Sequence, residues 1–140
     1  MLVSTKGRYA LRVMLELAEH ERNEVVPLTA IADKQQISEK YLESILAVLS
    51  KAGIIDGLRG KGGGYRLNRE PKDYSVGEIL RLTERTLAPV SCLECTPNPC
   101  ERASQCKTLP LWEKLDALIC SCLDSVSLED LVNTPVREIG

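Results

Sequence analysis

Four cysteines, Cys92, Cys95, Cys100 and Cys106, stand within fifteen residues, and two more, Cys120 and Cys122, follow. Clustered thiols are soft ligands: they suit zinc or an iron–sulfur cluster and exclude magnesium or calcium, which take oxygen. Only Cys92 and Cys95 form the close Cys-x2-Cys pair of zinc modules, while Cys100 and Cys106 are widely spaced. A metal-free alternative is a reversible disulfide switch among the same thiols. The stretch holds Pro97 and Pro99 and has no apolar periodicity, so it reads as a loop that keeps its shape only if something ties it down. Cys120 and Cys122 read instead as small buried apolar residues.

The elements that position this loop must come from a chain of 140 residues, enough for one domain with a real core. No apolar run approaches the roughly 18 residues of a membrane span, and Ser4, Thr5, Lys6 and Arg8 open the chain without the apolar stretch of a signal peptide. The expectation is a cytoplasmic protein with no membrane partner, in a compartment where clustered cysteines bind metal or do redox chemistry rather than form a disulfide framework. The net charge of −2 divides weakly, into +2 through Arg85 and −4 from Thr86 onward, which leaves room for a local nucleic-acid-binding patch. With one histidine, His20, read as a surface residue, and no nucleophile–base constellation, an enzyme is not expected.

Ala10, Val13, Met14, Leu17 and Ala18 make one apolar stripe of a helix from about Thr5 to Glu21, with Ser4 as its N-cap. Glu24 to Pro27 reads as a short strand, and Thr29 opens a brief second helix that stops near Gln35. Ser38 starts a third helix. Its buried stripe is Leu42, Ile45, Leu46 and Leu49, and its outer face carries Lys40, Glu43, Ser44 and Ala47. A short helix, a tight turn and a helix with a small polar outer face is the helix-turn-helix layout, in which the start of the second helix meets base edges.

Gly53 to Leu67 then has two β-prone ends around a glycine-rich tip, with Arg59, Lys61 and Arg66 in it and Arg69 just beyond. A basic, glycine-rich hairpin after a helix-turn-helix is a wing, whose backbone can approach a sugar-phosphate edge and whose arginine suits the minor groove. It is not a nucleotide loop, since Gly60-Lys61 is followed by Gly62 and a strand rather than by Ser or Thr and a helix. Ser75-Val76-Gly77-Glu78 has the form of a capping box opening a fourth helix to about Thr86. Beyond the cysteine loop, Leu111, Leu115, Leu118 and Cys122 repeat at four, three and four residues as a seam suited to pairing with a second copy, with intramolecular packing as the alternative. Trp112 is expected where that helix meets the rest of the chain. Leu128, Leu131 and Val132 face inward from a last short helix.

Ser4-Thr5-Lys6-Gly7-Arg8-Tyr9-Ala10-Leu11, Ile37-Ser38-Glu39-Lys40-Tyr41-Leu42-Glu43, Arg59-Gly60-Lys61-Gly62-Gly63-Gly64-Tyr65 and Ser75-Val76-Gly77-Glu78-Ile79 together resemble the Rrf2 family of winged-helix transcriptional regulators, over nearly the whole chain. With the cysteine loop followed by Leu111-Trp112, the chain is most similar to the branch that regulates iron–sulfur cluster biogenesis; nitric oxide sensors and a regulator of cysteine metabolism are sister branches. The resemblance implies binding of a double-stranded DNA operator through Ser38, Lys40, Tyr41, Glu43 and Ser44 of the recognition helix and Arg59, Lys61, Gly62, Gly63 and Tyr65 of the wing, with Arg59 entering the minor groove. It also implies a [2Fe-2S] cluster on Cys95, Cys100 and Cys106. Here the sequence departs from the branch. Cys95 and Cys100 are separated by four residues rather than five, and Leu109 stands where the branch has its histidine ligand. The fourth position is left to Cys92 or to a carboxylate, Glu94 or Glu101.

The expected fold is mainly α with a small β-hairpin wing: a winged helix-turn-helix at 1–86, a cluster-binding loop at 87–108, a dimerisation helix and short terminal helix at 109–133, and a tail at 134–140. The expected function is a homodimeric repressor of cluster-biogenesis genes. Within the family, the alternative is a thiol- or zinc-based regulator, responding to nitric oxide or cysteine and recognising a partner enzyme. A small [2Fe-2S] electron-transfer protein is the alternative of another class, and it would have no use for the wing.

Overall fold

The computed structural model describes residues 3–137; the first two residues of the expected DNA-binding unit and the last three of the expected tail lie outside that range. Six α-helices and one hairpin follow in order: α1 Thr5–Glu19, α2 Leu28–Gln35, α3 Glu39–Lys51, β1 Ile55–Leu58, β2 Gly64–Leu67, α4 Val76–Thr83, α5 Leu109–Ser125 and α6 Leu128–Val132. The fold is thus mainly helical with a two-stranded antiparallel wing.

α1 starts where Ser4 caps it, the hydroxyl accepting from Gly7 N, and it ends at Glu19, two residues before the expected stop. Its stripe Ala10, Val13, Met14 and Leu17 is buried against Ile31 of α2, the Leu42, Ile45, Leu46 and Leu49 stripe of α3, Ile55, Leu67 and Tyr74. Pro27, rather than a side-chain cap, precedes α2. Gln36, in the left-handed conformation, makes the tight turn into the Ser38 cap of α3. Burial of one face of each helix supplies the stabilisation, about 1.5–3 kcal/mol per fully buried large aliphatic side chain.

The wing pairs Ile55 with Leu67 and Leu58 with Gly64. The strand expected at Glu24–Pro27 shrinks to a single bridge, Val26 to Tyr65, with N···O distances of 2.8 and 2.9 Å in the two directions. Gly64 permits this: a Cβ there would lie 2.3 Å from the Val26 carbonyl oxygen. Tyr74, fully buried, fixes the base of the wing. Its hydroxyl donates to Ile54 O at 2.6 Å and accepts from Asn68 N and Arg69 N at 3.1 and 3.2 Å. Tyr74→Phe leaves these groups without their partner and is expected to cost about 1–3 kcal/mol in a urea unfolding curve, with the fold retained.

Ser75 caps α4 by accepting from Glu78 N, but Glu78 does not complete the expected box. Its carboxylate instead forms a paired bridge to Arg69 at 2.8 and 3.0 Å, because a guanidinium that donates two bonds outcompetes one backbone N–H. α4 ends at Thr83, three residues short of the expected stop, with Glu84 as C-cap. A complete capping box occurs further on, at Ser127 and Asp130 of α6.

α6 returns the chain to the N-terminal half. Leu128 N donates to Tyr74 O, Ser75 and Ser127 form a bridge, and the Leu128 side chain is fully buried in the main core. A second cluster, Val76, Leu80 and Leu87 with Leu11, Leu123 and Leu131 against it, joins α4 to α5 and α6. Leu123 makes the join assigned above to Trp112, which is half-buried and belongs to neither cluster. Among the described residues no helix is long and apolar enough to cross a membrane.

Candidate nucleic-acid interface and cysteine centre

α3 presents Ser38, Lys40, Glu43, Ser44 and Ala47 to solvent, and its buried stripe holds that face outward. Two of the hydroxyls are engaged locally: Ser38 Oγ caps the helix and Ser44 Oγ donates to Tyr41 O at 2.7 Å. Tyr41 is half-buried and packs edge-on to Tyr9 of α1, ring centroids 5.8 Å apart. The exposed Lys40 and Glu43 have no ion-pair partner among the described residues, which leaves them available to bases or phosphates. A carboxylate such as that of Glu43 is able to accept from cytosine N4 and repels phosphate, so in a DNA groove it would favour specificity over general affinity.

Beside α3 a cleft of about 620 Å³ opens toward the wing, lined by Ala47, Ser50, Asp56, Leu58, Arg59 and Tyr65. The four basic residues in and beside the wing divide in two. Arg66 lies 3.6 Å from Asp56, and Arg69 bridges Glu78 while its guanidinium rests on the Tyr74 ring. Arg59 and Lys61, at the exposed tip, have no such partner among the described residues. Gly62, between them and β2, has φ +78 with open space around it, a backbone form that glycine adopts without strain. Gly63 is half-buried in the turn, and Tyr65 is half-buried with its backbone bonded on both sides.

A polar network sets α2 on α1, and sequence reasoning missed it. Glu16, 2% exposed, accepts from Gln35 Nε2 at 3.0 Å, pairs with Lys34, and meets His20 Nε2 at 3.1 Å, while His20 Nδ1 meets Glu24 at 2.9 Å. The available signal was the spacing of Glu16, His20 and Glu24, each one helical step of four apart. Burial works against the charge on both groups, but it is outweighed: the bonds from His20, Gln35 and Lys34 hold Glu16 below its ordinary 4.5, and the two carboxylates hold His20 above its ordinary 6.5. A raised histidine contributes stability that is fully present below 6.5 and is lost as pH rises through its folded value. The depressed carboxylate contributes stability that is lost on the acid side. Denaturation midpoints should therefore fall on raising pH from 6 to 8, and His20→Gln should flatten that slope.

The cysteine loop is attached to this body through the end of α4 and the two residues after it, which reach three elements. Arg81 bridges Asp124 of α5 at 2.6 and 3.0 Å, and Glu84 accepts from Ser4 N and Ser4 Oγ at 3.0 and 2.6 Å at the start of α1. Arg85 bridges Glu94 of the loop at 3.0 and 3.1 Å. All six cysteines are free thiols; Cys92 and Cys106 are half-exposed, Cys95 and Cys100 exposed. Cys106 Sγ lies 3.2 Å from Thr108 Oγ1, and that hydroxyl, with backbone N–H groups at the start of α5, holds the Cys106 thiol below its usual range. Among the described residues no three histidine, cysteine or acidic side chains are gathered closely enough to hold a metal ion. The donor set nevertheless fits a thiophilic centre: four free thiols, one of them held below its ordinary pKa, share a loop with few internal bonds. One buried donor in it, Asn98 Nδ2, has no partner. Glu94 is already committed to Arg85, whereas Cys92 and Glu101, the other two candidates for the fourth position, have no ion-pair partner among the described residues.

α5 turns Leu111, Leu118 and Leu115 to solvent, 57%, 58% and 38% exposed. Cys122, expected to be buried, is exposed, and Cys120, also expected to be buried, is half-exposed.

The family description "Iron-dependent Transcriptional regulator", Rrf2, matches residues 3–134. The chain belongs to the Rrf2 family. Regulators named IscR are similar throughout: that of Aliivibrio salmonicida is 36% identical over all of this chain and 83% of its own length, and that of Vibrio atlanticus 36% over all of this chain and 80% of its own. Solved Rrf2-type structures agree in fold. CymR, the global cysteine regulator of B. subtilis, is 37% identical with TM-score 0.78 over 94% of this chain and 96% of its own; IscR of T. potens is 39% identical with TM-score 0.72 over 94% and 86%. This Rrf2 protein is accordingly a DNA-binding transcriptional regulator with a winged helix-turn-helix fold.

Proposed function

We propose that the protein is a homodimeric repressor of iron–sulfur cluster biogenesis genes that responds to a [2Fe-2S] cluster held by Cys95, Cys100, Cys106 and Cys92. The observation that carries this reading is the attachment of a loop of four free thiols, through Arg85 and Glu94, to the segment 81–85 that also holds Ser4 at the start of α1 and Asp124 of α5. The cluster would supply a centre whose presence and oxidation state report on iron–sulfur supply. The chain's part is to convert the gathering of four thiols into movement. Were Cys92 and Cys95 drawn inward, Glu94 between them would pull on Arg85, which follows Glu84, the partner of Ser4, and Arg81, the partner of Asp124. The recognition helices of two protomers, joined through the Leu111–Leu115–Leu118–Cys122 seam, would then change their separation relative to half-sites about one or two helical turns apart.

The test is DNA binding at fixed salt by cluster-loaded and metal-free protein across several candidate operators, alongside absorption spectra and iron and acid-labile sulfide content of anaerobically prepared protein. Curves that coincide for both forms on every operator would sink the coupling. Serine at Cys95, Cys100 or Cys106 should remove most of the bound iron and sulfide while leaving metal-free DNA binding within about twofold; Cys92→Ser should leave a cluster that is lost much faster on exposure to air. If Cys92→Ser holds its cluster as firmly as the parent, the fourth ligand lies elsewhere.

A second reading is favoured by the close superposition on the cysteine regulator CymR, over 96% of that chain. In it the thiols act without a cluster, through zinc or reversible oxidation, and the DNA response depends on a partner enzyme. Colourless protein lacking iron and sulfide, with DNA binding that follows thiol oxidation, would select it.

A further inference from the structure

We infer that Asn98 is the residue that donates a side-chain N–H hydrogen bond to sulfur of the cysteine centre and so tunes it. This rests on the cluster reading above. The segment between Cys95 and Cys100 is poor in donors by its own sequence: Pro97 and Pro99 have no N–H, and the Cys100 N–H is consumed by Asn98 Oδ1 at 2.9 Å. That bond also settles which arm of the carboxamide is oxygen, and it anchors the side chain beside the Cys100 peptide. The other arm, Nδ2, is wholly shielded from solvent and bonded to nothing, the one such side-chain atom among the described residues. A buried amide donor without an acceptor costs about 1–3 kcal/mol, so its retention calls for an acceptor that arrives later. Thiolate and bridging sulfide are such acceptors. N–H bonds to them stabilise the more negative, reduced state and raise the reduction potential, and bonds of this outer kind also slow loss of the metal.

The experiment uses full-length protein loaded anaerobically and titrated by absorption spectroscopy, with two variants. Asn98→Asp keeps an acceptor for Cys100 N but loses the donor and adds a charge. Asn98→Ala loses both arms and adds no charge. A lowered reduction potential and faster cluster loss to a chelator in both variants, with metal-free operator binding unchanged, is the expected result, since donor loss is the one change they share. An effect in Asn98→Asp alone would assign it to charge, and an effect in Asn98→Ala alone would assign it to the turn at Cys100; either overturns the inference, as does no effect in either. Parent protein that binds no iron and sulfide would overturn both this inference and the cluster reading, whereas a loaded parent with unshifted variants would overturn this inference alone.

Discussion

Leu118→Glu is expected to give a monomer at micromolar concentration and to weaken operator binding at least roughly 100-fold, while the far-ultraviolet circular dichroism stays that of the parent. Leu118 is 58% exposed and belongs to neither apolar cluster of the described residues, so the fold is expected to survive the change. In a two-fold interface each substitution enters twice, and burying two carboxylates that lack partners costs several kcal/mol, against about 1.4 kcal/mol per tenfold in association. A helix-turn-helix dimer reads two half-sites as one ligand, and a monomer forfeits that gain. Sedimentation equilibrium alongside electrophoretic mobility shift is the measurement. A variant that remains dimeric would move the interface away from the Leu111–Leu118 face of α5.

Arg59→Ala is expected to weaken operator binding about 10- to 100-fold, as loss of one well-placed groove contact costs about 1–3 kcal/mol, and to reduce the salt dependence by about one phosphate's worth. The informative comparison is Arg66→Ala. Both arginines belong to the same wing, but Arg66 is turned back toward Asp56 at 3.6 Å whereas Arg59 stands at the exposed tip without an ion-pair partner among the described residues. Arg66→Ala should therefore change affinity less than about threefold. Equal losses in fluorescence anisotropy titrations would mean that the whole wing acts as a diffuse cation rather than through its tip.

That contrast shows where the sequence was legible. The stripes of α1 and α3 were readable because they depend on residues three and four apart, as was the glycine-rich tip of the wing. The family membership followed from four short motifs. Contacts that join distant positions were not readable. Glu78 stands where a capping box needs it, yet Arg69, nine residues away, takes its carboxylate. Glu94 looked like a spare ligand until Arg85 was seen to hold it. Glu16 and His20 lie on a stripe whose apolar neighbours suggest an ordinary packing helix, and their partners Gln35 and Lys34 come from the next element. The cysteine spacing announced soft-ligand chemistry, but which thiols converge depends on loop closure around a centre that the spacing alone does not describe.

Leu128, fully buried among residues of α1, α3 and the wing base, carries a consequence for how the molecule comes into being. A polypeptide leaves the ribosome from its N-terminus, and a domain closes its core once the last contributing residue has emerged. Here that residue follows both the cysteine loop and α5. The N-terminal helical half of each newly made chain therefore completes its packing only after the four thiols have emerged, so chemistry at those thiols can begin before folding is complete. A nascent chain stalled before Leu128 should be digested by protease across its helix-turn-helix, and one stalled far enough beyond it should resist.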